Sequence, residues 1–329
     1  MSSKPWIEVR GVYGGLPESM RDIGLNAVWL RSDTITTDII ERIQVDGARV
    51  FAEFNSMHRA DFVAENPDSA PVGADGLVSP PPDGWQGVCP THDGYRRDRM
   101  AAFERLLTDF DLDGVWLDYH HAHASWEQAE PNLPDTCFCN RCLSQFARET
   151  GIDPGNMPNA SRRLLTDLRA EWTAWRCAVF TDWVREYAEI RDRVRPQTLL
   201  GTFHCPWTDI ERDGALAGKL AIDLRAQAKY VDVFSIMPYH ARFGHARDIA
   251  WISRQVEWLA NYLGAGKRIW PIVQLSDWGE TVDPADVRAI LDAATQPPST
   301  GVMAFSWGSF GSQTDKVEAM GRFYRELVK

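Results

Sequence analysis

Three of the chain's six cysteines, Cys137, Cys139 and Cys142, fall within the run Pro134-Asp-Thr-Cys-Phe-Cys-Asn-Arg-Cys-Leu-Ser-Gln-Phe146. A disulfide needs Cα atoms roughly 4.4 to 6.8 Å apart with suitable Cβ vectors, so thiols this close along the chain pair poorly with one another. Thiolates at the same spacing converge readily on a tetrahedral zinc, which asks for a fourth ligand. Cys89, in Gly-Val-Cys-Pro, is the nearest candidate. The N-terminus, Met-Ser-Ser-Lys-Pro-Trp, lacks the apolar stretch of a signal peptide, so the cysteines read as reduced thiols or metal ligands rather than a disulfide framework. A structural zinc on Cys89, Cys137, Cys139 and Cys142 is expected, with free thiols or an oxidised pair as the alternative. Cys177, in Trp-Arg-Cys-Ala-Val-Phe, reads as a core thiol, and Cys205 lacks a clear base partner.

Just upstream, the apolar run Asp113-Gly-Val-Trp-Leu-Asp-Tyr-His-His-Ala-His ends in a carboxylate and three imidazoles. A carboxylate closing an apolar strand is costly unless it is paired or functional, so Asp118 is the first catalytic candidate; the bland alternative ties it to an arginine or to backbone amides. Cleavage of a glycosidic bond needs a second carboxyl group, one to protonate the leaving oxygen and one to attack or to activate water. Glu127, in Ser-Trp-Glu nine residues on, is the provisional acid, and Glu53, Asp277 and Glu280 are the other candidates.

These residues need a scaffold, and the hydrophobic pattern supplies one. Eight β-branched, apolar or aromatic runs recur with helix-like segments between most of them: 6–13, 26–31, 49–55, 114–119, 199–204, 231–239, 268–275 and 301–307. Such alternation predicts an α/β fold with a parallel sheet, and eight repeats suggest closure into a single (β/α)8 TIM barrel spanning residues 1–329 as one domain. Segments 96–110, 162–194 and 248–263 read as helices. Long loops follow strands three and four, and in a barrel the loops after the strands build the active site. The strand ends then provide the candidate substrate-binding residues Glu53, Asn55, His120, His121, His204, Tyr239, His240, Gln274, Asp277 and Trp307, with Asp118 and Glu127 as the catalytic pair. Carboxylates, amides and imidazoles hydrogen-bond hydroxyls while aromatic faces stack on apolar ring faces, which is the composition of a sugar site.

Thirty-five basic against 46 acidic residues give a formal charge of −11, which disfavours nucleic acid and anionic membrane as partners. No apolar run approaches the ~20 residues that span a bilayer. A cytoplasmic protein with a carbohydrate partner is expected, and a homo-oligomer is compatible with the sequence.

The pattern of a distant Cys89, then Cys137-x-Cys139-x-x-Cys142 with Phe146 four residues on, resembles the zinc cluster of the glycoside hydrolase family 42 β-galactosidases. Gly-Val-Cys-Pro-Thr, Asp-Gly-Val-Trp-Leu-Asp-Tyr, Trp-Glu and Asp-Thr-Cys-Phe-Cys together resemble glycoside-hydrolase-like barrel proteins of bacterial genomes, over residues 87 to 151. The resemblance implies a barrel, a zinc site and action on glycosides. Family 42 enzymes carry Asn-Glu at the end of strand four and Glu at the end of strand seven; here Leu117-Asp118 and Gln274 stand in those places, so neither glutamate transfers. An Asp at the end of strand four instead resembles the nucleophile position of α-galactosidase-like barrels. The expected function is hydrolysis of a glycoside by two carboxylates. The alternatives are a metal-dependent sugar isomerase or hydrolase using the strand-end histidines, and a non-catalytic sugar-binding barrel.

Overall fold

The structure is a computed structural model that describes residues 4–328; Met1 to Ser3, which begin the stretch expected to carry no signal peptide, lie outside them. Nine strands form one parallel sheet: β1 (Val9–Tyr13), β2 (Ala27–Arg31), β3 (Arg49–Asn55), β4 (Gly114–Asp118), β5 (Leu199–His204), β6 (Val233–Ile236), β7 (Arg268–Ile269), β8 (Ile272–Gln274) and β9 (Gly301–Phe305). Their order is β7-β6-β5-β4-β3-β2-β1-β9-β8. The two ends of that order are neighbours in the chain, separated by Trp270 and Pro271. A single seventh strand was expected over 268–275, but proline has no N–H to give a ladder and divides it. The first piece pairs with β6 and the second with β9.

The sheet is curled around aromatic side chains. Trp29 on β2 stacks on Phe51 of β3 with ring centroids 4.4 Å apart, and Trp116 on β4 stacks on Trp270 at 5.6 Å. Trp270 also meets Trp29 at 6.3 Å and Phe51 at 6.0 Å, which joins the far edge of the sheet to its middle. Higher up, Tyr13 of β1 reaches Phe203 of β5 at 5.8 Å. All four lower rings are fully buried. Strands that lie beside them give up their own side chains: a Cβ on Gly201 would stand 2.2 Å from the Trp116 indole, and one on Gly11 2.3 Å from Trp29.

Parallel pairing then aligns the C-terminal ends. Arg31 is level with Glu53, and Asn55 with Asp118, so β1 to β4 deliver Tyr13, Arg31, Glu53 and Asp118 to one rim. Outside, helix Asp93–Asp109 buries Tyr95, Met100, Phe103, Leu106 and Leu107. It starts three residues before the expected 96 because the His92 imidazole caps it, accepting the Tyr95 amide at 3.0 Å. The segment expected as one helix over 162–194 is two, Asn159–Leu165 and Arg169–Val194, since Thr166 leaves helical dihedrals. The helix expected over 248–263 is Ala250–Leu263. Among the described residues no helix is long and apolar enough to cross a membrane.

Gly201→Ala is expected to destabilise the fold by about 1–3 kcal/mol or more, as overpacked cores do, because Trp116 is held on its other side by Trp270. Urea denaturation followed by tryptophan fluorescence measures it, and an unchanged midpoint would contradict the packing argument.

Candidate active site and metal centre

Asp118 and Glu127 line the same two spaces at the rim. One, of about 310 Å³, is walled by Tyr13, Arg31, Trp85, Tyr119, Tyr239 and Trp278 among others. The second, of about 210 Å³, adds His58, His121, Trp126 and Arg242. Asp118 is buried at the tip of β4, and one of its oxygens accepts the Tyr119 amide at 2.8 Å. Tyr119 itself sits at φ 51°, a left-handed conformation that turns the chain sharply after the strand. Its ring stands 5.2 Å from both Trp85 and His58, which meet each other at 6.3 Å. Glu127 is half-buried in the loop after β4. The Arg242 guanidinium donates to its backbone carbonyl at 2.7 Å and lies 4.5 Å over the Trp278 ring.

Glu53, buried on β3, is the third carboxyl of the rim and accepts the Tyr13 hydroxyl at 2.6 Å. Burial raises all three acids above the usual carboxylate range. Asp118 goes well above it, with Glu53 and Glu127 adding to the effect of desolvation. Glu127 is pushed up to about 7 by burial, opposed by Arg242 and assisted by Glu53. Glu53 is raised by burial against the pull of the Tyr13 hydrogen bond and of Arg31. Three acids in one poorly hydrated rim titrate as a set, each ionisation opposing the next.

Of the remaining candidate carboxylates, Asp277 is held by Lys316 at 2.7 Å, by Gln313 at 3.1 Å and by the Val282 amide at 2.9 Å, and Glu280 is exposed; neither lines these spaces. Gln274 is fully buried and fully engaged. Its carbonyl accepts the Arg242 amide at 2.9 Å, and its amide donates to Ser276 and Trp278 carbonyls at 2.9 and 2.8 Å. Asn55 is committed to the backbone of His58 in both directions. Tyr239 faces the larger of the two spaces, whereas Trp307 packs on Phe310, away from both.

The histidines are dispersed. His120 accepts from the Ser56 hydroxyl at 2.8 Å and donates to the Phe180 carbonyl at 2.8 Å. His123 is spanned by the Gly87 amide and the Pro80 carbonyl, both at 3.0 Å. His121 donates to the Ala122 carbonyl at 2.7 Å and faces the smaller space with its other nitrogen uncommitted. His204 and His240 are buried, each with one ring nitrogen lacking a partner. Burial lowers His120, His121, His204 and His240 to about 4, so they are neutral imidazoles. They converge on no common point with a carboxylate: among the described residues the single group of three or more metal-binding side chains is Cys89, Cys137, Cys139 and Cys142.

Those four sulfurs all lie within 4.8 Å of one another, with Cys89 3.5 Å from Cys139 and 3.7 Å from Cys142, and none is in a disulfide. Thiolates on a tetrahedral ion at ~2.3 Å stand about 3.8 Å apart, so the spacing fits a metal. The Val72 amide points at the Cys137 sulfur at 3.3 Å and Thr91 touches Cys89 and Cys142. The four cysteines could hold a metal ion. They join the loop after β3, which carries Trp85, to the loop after β4, which carries Glu127.

Sequence reasoning passed over Tyr13, Arg31, His58, Trp85, Arg242 and Trp278. Tyr13 and Arg31 end β1 and β2 and were open to the same strand-end argument that found Glu53 and Asp118. The others lie in loops, where no periodic signal fixes direction.

No protein-family model and no curated protein matches the chain. Solved structures do. The glycoside hydrolase domain of PgaB (BpsB) from Bordetella bronchiseptica superposes with a TM-score of 0.73 at 14% identity, over 96% of this chain and 98% of that one. The fold is the α/β barrel-like fold of glycoside hydrolases. The β-galactosidase of the Antarctic haloarchaeon Halorubrum lacusprofundi matches at a TM-score of 0.69 and 12% identity over 97% of this chain, and α-L-fucosidase isoenzyme 2 of Paenibacillus thiaminolyticus at 0.62 and 12% over 98%. The chain spans 58% of that β-galactosidase and 49% of that fucosidase.

The raised acids have a thermodynamic consequence. The folded protein holds a proton on Glu127 that the unfolded chain releases above pH 4.5, so this contribution to stability is fully present below that value and lost as pH rises to about 7. Asp118 and Glu53 act in the same direction. Glu127→Gln is expected to flatten the decline between about pH 4.5 and about pH 7, seen as a smaller drop in urea midpoint than in the wild type; an equal or steeper drop would count against a buried, raised Glu127.

Proposed function

We propose that the chain is a glycoside hydrolase, built on a closed (β/α)8 barrel in which β7 and β8 are one interrupted strand, and acting through Asp118 and Glu127. The observation that carries the reading is the shared rim: both carboxyls line the same two spaces, walled by Trp85, Tyr119, Tyr239 and Trp278. Aromatic faces of this kind receive the C–H faces of a sugar ring, and the carboxyls meet its linkage. Glu127, pushed up to about 7, stays protonated through the acid range up to near-neutral pH and is suited to protonate the leaving oxygen. Asp118 is the nucleophile or base. Its ionisation is favoured by the Tyr119 amide and requires that Glu127 and Glu53 hold the protons of the set. The carbohydrate substrate is the partner this chemistry implies.

The histidine-metal alternative has little to support it, because those imidazoles are dispersed, converge with no carboxylate on a common point, and in His120 and His123 are committed to hydrogen bonds at both nitrogens. The four cysteines are instead proposed to hold structural zinc, remote from bond cleavage. Four crowded thiolates need a cation: neighbouring thiols pull Cys139 down and push Cys137 and Cys142 up, so the group does not ionise fully by itself. Zinc would supply that charge and folding free energy.

Three outcomes test the reading. Asp118→Asn should keep the wild-type circular dichroism and lose several orders of magnitude in kcat on the aryl glycosides that the wild type cleaves; a variant of near-normal activity would sink the assignment. For the wild type, kcat/KM should decline above about pH 7 as Glu127 loses its proton, and Glu127→Gln should remove that limb together with most of the rate. Elemental analysis should find about one zinc per chain, and Cys139→Ser should lower both metal content and melting temperature; metal-free protein of full stability would end the zinc proposal.

A further inference from the structure

We infer that a third space, a groove of about 870 Å³ beside the carboxyl rim, is a second saccharide site that takes further units of a neutral oligosaccharide whose scissile linkage lies at Asp118 and Glu127. The inference rests on the reading of that rim as a sugar site. The groove runs from the ends of β2 and β3 to helix Asp93–Asp109, where Ala102 and Leu106 form its floor. It is more than twice the volume of the cavity holding both carboxyls, and lies near the top of the about 300–1,000 Å³ range of pockets that enclose drug-sized ligands rather than one small ring.

Three observations point to a saccharide chain. The groove shares Tyr13, Arg31, Trp85 and Tyr119 with the larger carboxyl cavity, and Trp85, Tyr119 and His58 with the smaller, so one ligand can pass from one to the next along the Trp85–Tyr119 stack. Trp85 is 40% exposed, a large apolar face that solvent does not reward and that a pyranose ring would cover. His58, in the wall between groove and rim, is 7% exposed, and neither of its ring nitrogens has a hydrogen-bond partner. Burial, with His121 and His123 adding to it, holds the imidazole neutral, so the wall carries one donor and one acceptor that no protein group satisfies.

The charges of the groove argue for a neutral ligand. Arg31 is paired with Asp33, Arg59 with Asp61, and Arg99 with Asp98, and the two further charged groups of the lining, Glu53 and Asp109, are acids, so no uncompensated positive cluster is left to select a polyanion. Ion-paired groups of this kind still accept and donate hydrogen bonds to hydroxyls at the groove's edge.

The test is calorimetric titration of the full chain carrying Asp118→Asn with gluco-, galacto- and xylo-saccharides from monosaccharide to tetrasaccharide. At least one series should gain affinity with length, on the order of tenfold or more overall. Ala102→Trp, which fills the groove from its helix without reaching the other two spaces, should abolish most of the gain, and His58→Phe should reduce it while keeping the ring. The inference is overturned if no series binds more tightly with length, or if the gain survives Ala102→Trp. Length-dependent binding by a wild type that cleaves nothing would remove the hydrolase reading and leave this site standing; cleavage of short glycosides with length-independent binding would do the reverse.

Discussion

Everything above the sheet depends on what fills its concave face. Trp29, Phe51, Trp116 and Trp270 occupy the lower part in mutual contact, with glycines on the neighbouring strands yielding the room, and the buried Ser235 hydroxyl there accepts the Trp116 indole N–H at 2.9 Å. The spaces that the carboxyls face lie at the C-terminal rim, where the same strands end in Tyr13, Arg31, Glu53 and Asp118. The plug therefore separates a layer that stabilises from a layer that can react, and a charge placed one pleat lower would face tryptophan instead of a hydroxyl.

The rim is completed by loops, and loops need their own restraints. Two sets provide them. The cysteine quartet binds the loop after β3 to the loop after β4, the walls that carry Trp85 and Glu127. From the opposite side, Gln274 holds the Arg242 amide and the Trp278 carbonyl, and Arg242 in turn holds the Glu127 carbonyl. Gln128 extends the chain of contacts to Asp83, in the wall that Trp85 follows. Glu127 thus sits in a loop fastened at both flanks although it belongs to no helix or strand.

Period and strand ends carried the fold and part of the site into the sequence. Alternating apolar runs marked the sheet, and the rule that function gathers at strand ends found Asp118, Glu53 and Tyr239. The thiol spacing was legible because four sulfurs that lie within 4.8 Å of one another leave few arrangements. What could not be read were directions in irregular backbone. His120, His121 and His123 look alike in sequence, yet the left-handed turn at Tyr119 sends His121 towards the rim while His120 and His123 become braces between loops. The split at Pro271 was missed, since 268–275 was expected as one strand, although a proline inside a ladder forfeits a donor.

Gln274 shows how a departure from a resembling family can follow from local physics. Its amide group donates to two carbonyls, those of Ser276 and Trp278, while its oxygen accepts the Arg242 amide. A glutamate there could satisfy only the last of these, and as an anion it would confront two carbonyl dipoles in a fully buried place. The rim already holds three acids whose charges oppose one another, and a fourth beside them would raise the cost of ionising Asp118 further. With the strand seven position given to an amide, the Arg242 backbone is fixed, and its guanidinium, held on the Glu127 carbonyl, opposes the upward shift of the Glu127 carboxyl.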